Sequence, residues 1–164
     1  AFRRSTANEA HLARLRQVLG DDPLLVKFRH ASWAESDVAD GLRAAGLGFC
    51  AVDEPALEGL MPPVAHVTAA DAYVRFHGRN AQNWWGGSER GAPAGGGATA
   101  RRAAGDRYDY DYGAAELREW VEKVRDLANQ ARRTYLFFNN CHAGQAARSA
   151  RLMQQLLRQQ GLPA

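Results

Sequence analysis

The sequence lacks long hydrophobic runs and a secretory leader. No stretch of the 164 residues approaches the roughly 20 consecutive apolar residues that a membrane-spanning helix needs. Residues 1–5 lack the apolar centre of a signal peptide. We therefore expect a cytoplasmic protein with no membrane attachment.

Cysteine is scarce, with only Cys50 and Cys141 present. Each lies within or at the end of a strand-like run, and neither has the CxxC context of a zinc site. We favour buried, reduced thiols over a disulfide or a redox pair. We predict no cofactor.

Lysine is also scarce, because Lys27 and Lys123 are the only lysines among 21 basic residues. Guanidinium groups bind carboxylate or phosphate through paired hydrogen bonds, so an excess of arginine is typical of anion recognition. A sequence rich in Ala, Gly and Arg is equally typical of a compositional habit of the source genome. The net charge of +3 does not decide between the two explanations.

Four short apolar runs each end in polar side chains. A buried polar group needs a hydrogen-bonding partner or a function, and the carboxyl ends of parallel strands are where α/β proteins build their sites. We therefore expect the polar ends to meet at one edge of a sheet. The runs and their polar ends are 24–28 with Arg29 and His30, 48–52 with Asp53 and Glu54, 72–76 with His77, Gly78 and Arg79, and 135–138 with Asn139, Asn140, Cys141 and His142.

Amphipathic helical patterns alternate with these runs, at 8–19, 35–45, 116–132 and 145–159. Alternation of this kind predicts an α/β fold in which helices flank a parallel sheet. Closure of a barrel takes about eight strands, so about four strands predict an incomplete TIM-barrel-like fold within a single domain, 1–164. A Gly/Ala/Arg-rich segment at 86–107 predicts a flexible loop that acts as a lid.

Four motifs carry a resemblance to a known family: FRHASW at 28–33, YVRFHGR at 73–79, YDYDY at 108–112 and FNNCH at 138–142. In these motifs the chain resembles the YecE-like family, long labelled a domain of unknown function (DUF72). The resemblance implies a TIM-barrel-like fold of about eight βα units, of which this chain corresponds to the C-terminal half to two-thirds. It implies no particular reaction.

One position departs from the family pattern. Family members usually carry a glutamate where this chain has Lys27, two residues before Arg29 and hence on the same side of the strand. An Arg-Glu pair compensates its own charge, whereas Lys27 beside Arg29 needs another anion. Either Asp53 or a bound ligand supplies it, or this copy has drifted in function.

The favoured hypothesis is a barrel mouth that binds an anionic or polyhydroxylated small molecule, with enzymatic activity left open. Arginines would hold the anion, asparagines would orient hydroxyl or carbonyl groups, and a histidine would move a proton, since its ordinary pKa lies near neutrality. The alternative for the strand arginines is a set of internal ion pairs that holds the barrel together. The predicted substrate-binding residues are Arg29, His30, Arg75, Arg79, Tyr108, Asn139 and Asn140, and the predicted catalytic residues are His77, His142 and Asp53.

Two other functions compete with this hypothesis. A metal-dependent hydrolase or isomerase would use His30, Asp53, His77 and His142 from four strand ends, although no HxH or HExxH spacing is present and the neighbouring arginines repel a cation. We therefore assign no metal ligands. A nucleic-acid-binding module would stack bases on an exposed Trp84-Trp85 pair beside Arg101-Arg102. The basic residues are spread through the helices, which argues against nucleic acid.

The predicted half-barrel also has unpaired edges, in the strands near Leu24 and Tyr135. Unpaired edges are templates for pairing with another chain. Self-association is therefore expected if the half-barrel is expressed alone.

Overall fold

The sheet is parallel throughout, and its strands follow the order of the chain. The computed structural model describes residues 2–85, 106–140 and 142–164. The strands are β1 (Leu25–Lys27), β2 (Gly48–Asp53), β3 (Asp71–Phe76) and β4 (Arg133–Phe138), in the order β1-β2-β3-β4. Winding in one direction is typical of a βα barrel, whereas doubly wound sheets reverse their strand order.

Helices cover one side of the sheet. They are α1 (Thr6–Leu19), α2 (Ser36–Ala44), α3 (Ala114–Gln130) and α4 (Gln145–Gln159), with short 3-10 turns at Ala31–Trp33 and His142–Gly144. The predicted helix bounds agree with these to within two residues at either end. The α/β class with parallel strands and flanking helices is thus confirmed.

The strand register gives the sheet two chemically different faces. Along β3, Ala72, Val74 and Phe76 are buried, whereas the residues between them are half-buried. We call the first side the helix face, because its residues join the apolar core beneath the helices. The opposite side, the inner face, carries two aligned rows of side chains: Lys27, Cys50, Tyr73 and Tyr135, followed by Val52, Arg75 and Phe137.

Aromatic rings fill the core near the carboxyl ends of β3 and β4. Phe76 stacks on Phe138 with ring centroids 4.5 Å apart and meets Trp120 of α3 edge-on at 5.3 Å. Tyr112 contacts the same Phe76 ring edge-on at 5.8 Å. Packing of this kind fixes where the strands end relative to α3.

Several further predictions concern burial and the loop. Cys50 is a buried free thiol, as predicted, and burial raises its pKa to about 11. Cys141 and all of the predicted flexible loop except Asp106 and Arg107 lie outside the described residues. Within the part of the chain that is described, no helix is both long and apolar enough to cross a bilayer.

Gly78 offers a test of the geometry just after β3. Its φ is +91°, and a Cβ added there would lie 2.7 Å from Cβ of Tyr110. Gly78→Ala should lower the free energy of unfolding by about 1–3 kcal/mol, because alanine is strained at this φ and has no room. Gly41 lies within α2 with open space around it, so Gly41→Ala should raise that free energy by about 0.5–1 kcal/mol. Urea unfolding measures both, and changes of the same sign would contradict the geometry.

Candidate functional site

A group of basic side chains lies on the inner face at the carboxyl ends of β1 and β3. We call Lys27, Arg29, Arg75 and His77 the basic cluster. Nζ of Lys27 lies 3.3 Å from Nε2 of His77, although the two residues are 50 positions apart in the chain. Nη2 of Arg75 donates to Oδ1 of Asn139 at 2.9 Å. Because neighbouring strands are parallel and side chains alternate between faces, side chains at the carboxyl ends of β1, β3 and β4 meet on one face.

Burial and mutual repulsion determine the protonation states in the basic cluster. His77 is only 3% exposed, and burial, followed by the charges of Lys27, Arg75 and Arg29, lowers its pKa to about 3. Burial also lowers the pKa of Lys27, with further lowering by the two arginines. His77 is therefore a neutral imidazole at physiological pH, and the ammonium of Lys27 is disfavoured.

The positive charge of the basic cluster is poorly compensated. Among the described residues Arg29 has no hydrogen-bond or ion-pair partner, and Arg75 bonds only to a neutral amide. Glu54 interacts with Lys27 and Arg29, but its own carboxylate accepts from the backbone N–H of Met61 at 3.0 Å, and burial raises its pKa. Within the described part of the chain, the guanidinium groups of Arg29 and Arg75 therefore have no carboxylate paired with them.

Two buried nitrogens in the basic cluster also lack partners. Nε of Arg75 and Nδ1 of His77 have no hydrogen-bond partner among the described residues. A buried donor without an acceptor costs about 1–3 kcal/mol, so such atoms are often satisfied by a ligand. Unsatisfied nitrogens and uncompensated charge thus occur at the same place.

Asp53 does not join the basic cluster, which corrects the prediction that it shares a mouth with Arg29, Arg75 and Asn139. Its carboxylate is 1% exposed on the helix face. It accepts hydrogen bonds from Nη2 of Arg79, the hydroxyl of Tyr112 and Nε1 of Trp120, each at 2.6 Å. Successive residues of a strand point to opposite faces. Asp53 pairs with Phe76 of the helix face, whereas the preceding residue, Val52, pairs with Arg75 of the inner face. Asp53 therefore does not supply the anion expected beside Lys27.

Arg79 is occupied by carboxylates instead of being open to a ligand. Besides Asp53, its guanidinium lies 2.9 Å from Glu119 and 4.0 Å from Glu116. The Asp53 hydrogen bond is the largest cause of a raised Arg79 pKa. Arg79 and Asp53 therefore form an internal ion pair, which was the alternative to anion binding. Arg29 and Arg75 form no such pair among the described residues.

The remaining predicted residues serve different local roles. His30 accepts from the backbone N–H of Ser32 at 3.1 Å and so caps the 3-10 turn. Asn140 is fully buried and donates to Ser149 at 2.9 Å. His142 is exposed and lies 3.3 Å from Asp109. Of this group only Tyr108 contacts the basic cluster, with its ring 5.9 Å from that of His77.

The geometry required for the competing functions is not observed. His77 contacts Lys27, His142 contacts Asp109, and Asp53 lies on the other face. These residues therefore do not converge with His30, as the metal alternative would require. No group of three or more potential metal-ligating side chains occurs within 2–85, 106–140 and 142–164. Trp84 is 4% exposed and Trp85 is 68% exposed, so the expected exposed pair is also wrong.

The sequence interpretation did not count Lys27 and Glu54 as site residues. A usable signal was present in the spacing: Arg29 is two residues beyond Lys27, and Glu54 is four residues beyond Cys50, which pairs with Lys27 in the register. Even spacing keeps side chains on one face. Below these residues, Tyr73 and Phe137 stack at 4.8 Å and form an aromatic floor to the inner face.

The Asp53 hydrogen bonds predict a large loss of stability on truncation. Asp53→Ala leaves the buried phenol of Tyr112 and indole of Trp120 without their acceptor and removes one carboxylate from Arg79. It should lower the free energy of unfolding by about 3–5 kcal/mol. Asp40, 80% exposed and paired with Arg43, is the control, and Asp40→Ala should cost less than about 1 kcal/mol. Chemical denaturation measures both, and similar losses would contradict the role of Asp53.

The lowered pKa of His77 predicts a specific pH dependence. Its pKa is about 3 in the folded protein and 6.5 ordinarily, so the unfolded state binds the proton more readily. The free energy of unfolding should therefore be highest above pH 6.5 and should fall below it by up to about 1.4 kcal/mol per pH unit. His77→Gln should flatten this slope between about pH 5 and 6.5. His11→Gln, at an exposed histidine, should leave the slope as in the wild type, and equal slopes for all three proteins would refute the assignment.

Comparisons with known proteins match the whole chain to a family whose function is unknown. The family described as "Protein of unknown function DUF72" matches residues 1–164. UPF0759 protein YunF of Bacillus subtilis is 32% identical over 156 residues, which are 92% of this chain and 52% of that protein.

Solved structures agree with the fold. A DUF72 family protein of Thermotoga maritima has 37% identity and a TM-score of 0.79, over 96% of this chain and 54% of that one. One from Enterococcus faecalis has 27% identity and a TM-score of 0.77, over 96% and 55%. These neighbours are TIM-barrel-like, as predicted. The chain spans about half the length of the relatives it matches, and it belongs to the DUF72 family.

Proposed function

We propose that the protein binds a small anionic ligand at the basic cluster. The observation that carries the proposal is uncompensated charge: the guanidinium groups of Arg29 and Arg75 lie beside Lys27 on one face. The half-buried Glu54 also interacts with Lys27 and Arg29. Like charges held together without counter-ions destabilise a fold. A phosphate or carboxylate group would remove this repulsion and supply acceptors for the buried nitrogens.

The surroundings favour an organic anion over a bare inorganic ion. Asn139, which accepts from Arg75, presents an amide that can orient a hydroxyl or carbonyl group. The stacked rings of Tyr73 and Phe137 lie on the same face, and aromatic faces pack against the apolar side of a sugar ring or carbon skeleton. A sugar phosphate or sugar acid has groups for all three features.

His77 is the candidate for proton transfer in this proposal. Burial is the largest cause of its lowered pKa, and the charges of Lys27, Arg75 and Arg29 add to it. A bound anion offsets the charges of the neighbouring basic groups, and this part of the effect should raise the pKa of His77 on binding. The imidazole would thereby become a better base when the ligand is present. This coupling supports a role for His77 in proton transfer to or from the bound ligand.

The two other functions have less support. Stacking of nucleic-acid bases needs exposed rings, and Trp84 is buried. A divalent cation would be repelled by the cluster, because the guanidinium groups of Arg29 and Arg75 are positively charged. Both functions remain outcomes of the binding test.

Isothermal titration and thermal shift with phosphate, sugar phosphates, sugar acids, a short oligonucleotide and divalent metals test the proposal. Arg75→Gln should weaken binding of the best anion by about tenfold or more, because a charged hydrogen bond contributes about 1.5–3 kcal/mol. Arg125→Gln is the matched control, since Arg125 pairs with Glu122 on the surface of α3. Its affinity should equal that of the wild type.

Three outcomes would count against the proposal. The first is an absence of binding by every anion in the panel. The second is equal weakening by Arg75→Gln and Arg125→Gln, which would indicate an effect of net charge alone. The third is binding of the oligonucleotide with a steep salt dependence, which would favour the nucleic-acid function.

A further inference from the structure

We infer that Lys27 is a nucleophile that forms an imine with the carbonyl group of an anionic ligand. The inference rests on the proposed function, since the anion brings the carbonyl to the amine. Lysine imines form when the amine is placed beside the bound carbonyl and is free of its proton. Two observations at Lys27 favour these conditions: its Nζ lies on the inner face, 3.3 Å from Nε2 of His77, and burial lowers its pKa.

The position of Lys27 is that of a side chain directed into the site. It is the last residue of β1, on the inner face, and its Nζ lies 3.3 Å from Nε2 of the 97%-buried His77. No carboxylate lies within ion-pairing distance of this nitrogen among the described residues. Its hydrogen-bond partner is thus a neutral ring and not a counter-ion that would hold the ammonium form.

The charges around Lys27 also favour the free amine. Burial is the largest cause of its lowered pKa, and the guanidinium groups of Arg29 and Arg75 add to it. The same two arginines are those available to an anionic group of the ligand. One arrangement therefore disfavours the ammonium form and attracts a carbonyl compound of opposite charge.

The step requires no oxidant or reductant. The free amine of Lys27 adds to the carbonyl carbon, so that an N–C bond forms and the oxygen gains a proton from the nitrogen. The C–O bond then breaks, the nitrogen loses its second hydrogen, and the oxygen leaves as water with both hydrogens. Glu54 is an acidic group near Lys27, and its carboxylate would relay that second hydrogen from the nitrogen to the departing oxygen.

The chain provides its own control, because Lys27 and Lys123 are its only lysines. Nζ of Lys123 lies 4.9 Å from the centre of the Trp120 ring in α3, away from the basic cluster. Incubation of the wild-type protein with pyruvate and cyanoborohydride converts any imine to a stable secondary amine. Peptide mass spectrometry should then find a severalfold excess of the reduced pyruvoyl adduct at Lys27 over Lys123. Equal labelling of the two lysines would overturn the inference.

Two variants and a second probe separate this inference from the proposed function. Lys27→Arg removes the nucleophilic amine but leaves Arg29 and Arg75 in place, so it should retain pyruvate binding in titration while losing the adduct. Arg75→Gln should reduce labelling by pyruvate more than labelling by acetone, which carries no charge. Pyruvate binding without an adduct at Lys27 would overturn the inference and leave the proposed function intact. Absence of both binding and adduct would overturn both.

Discussion

The buried carboxylate of Asp53 is the interaction on which the arrangement of the site depends. A charge taken out of water is tolerated when it is paired and its lone pairs are satisfied, and three donors meet this requirement for Asp53. Trp120 comes from α3, Tyr112 from the segment before it, and Arg79 from the segment after β3. The carboxylate therefore ties the end of β2 to all three. Tyr112 also accepts from the backbone N–H of Gly78, directly after His77, so the same bonds set the position of His77.

The sheet separates acidic from basic groups, and this separation gives the inner face its charge. Asp53 neutralises Arg79 on the helix face with the help of Glu119. The next residue, Glu54, has the opposite parity and lies with the basic cluster, where it gives a hydrogen-bond acceptor to the backbone of Met61. The side chains of Asp53 and Glu54, although adjacent in the chain, thus lie on opposite faces of the sheet. The inner face keeps an excess of positive charge that the protein chain, as far as it is described, does not neutralise.

Periodicity explains which features could be predicted from the sequence. The helices and strands were predictable because α3 repeats its apolar side chains at helical spacing and β4 ends in an abrupt change from Phe138 to Asn139. The inward or outward direction of Asp53 was not predictable, because all six residues of β2 are buried and no alternation marks its faces. The burial of Trp84 depends on His77 and Tyr108, which are remote contacts that a local pattern does not contain. The contact of Lys27 with His77 is of the same kind.

Anion binding and a nucleophilic Lys27 make opposing electrostatic demands, and burial reconciles them. A bound anion stabilises positive charge nearby, and by itself would favour the ammonium form of Lys27. Its main partners, however, would be the guanidinium groups of Arg29 and Arg75, which are the smaller causes of the lowered Lys27 pKa. Burial is the larger cause, and a ligand that displaces water from the inner face increases it. The amine can therefore stay reactive beside a neutralised anion, provided that the carbonyl group, and not the anionic group, occupies the space next to His77.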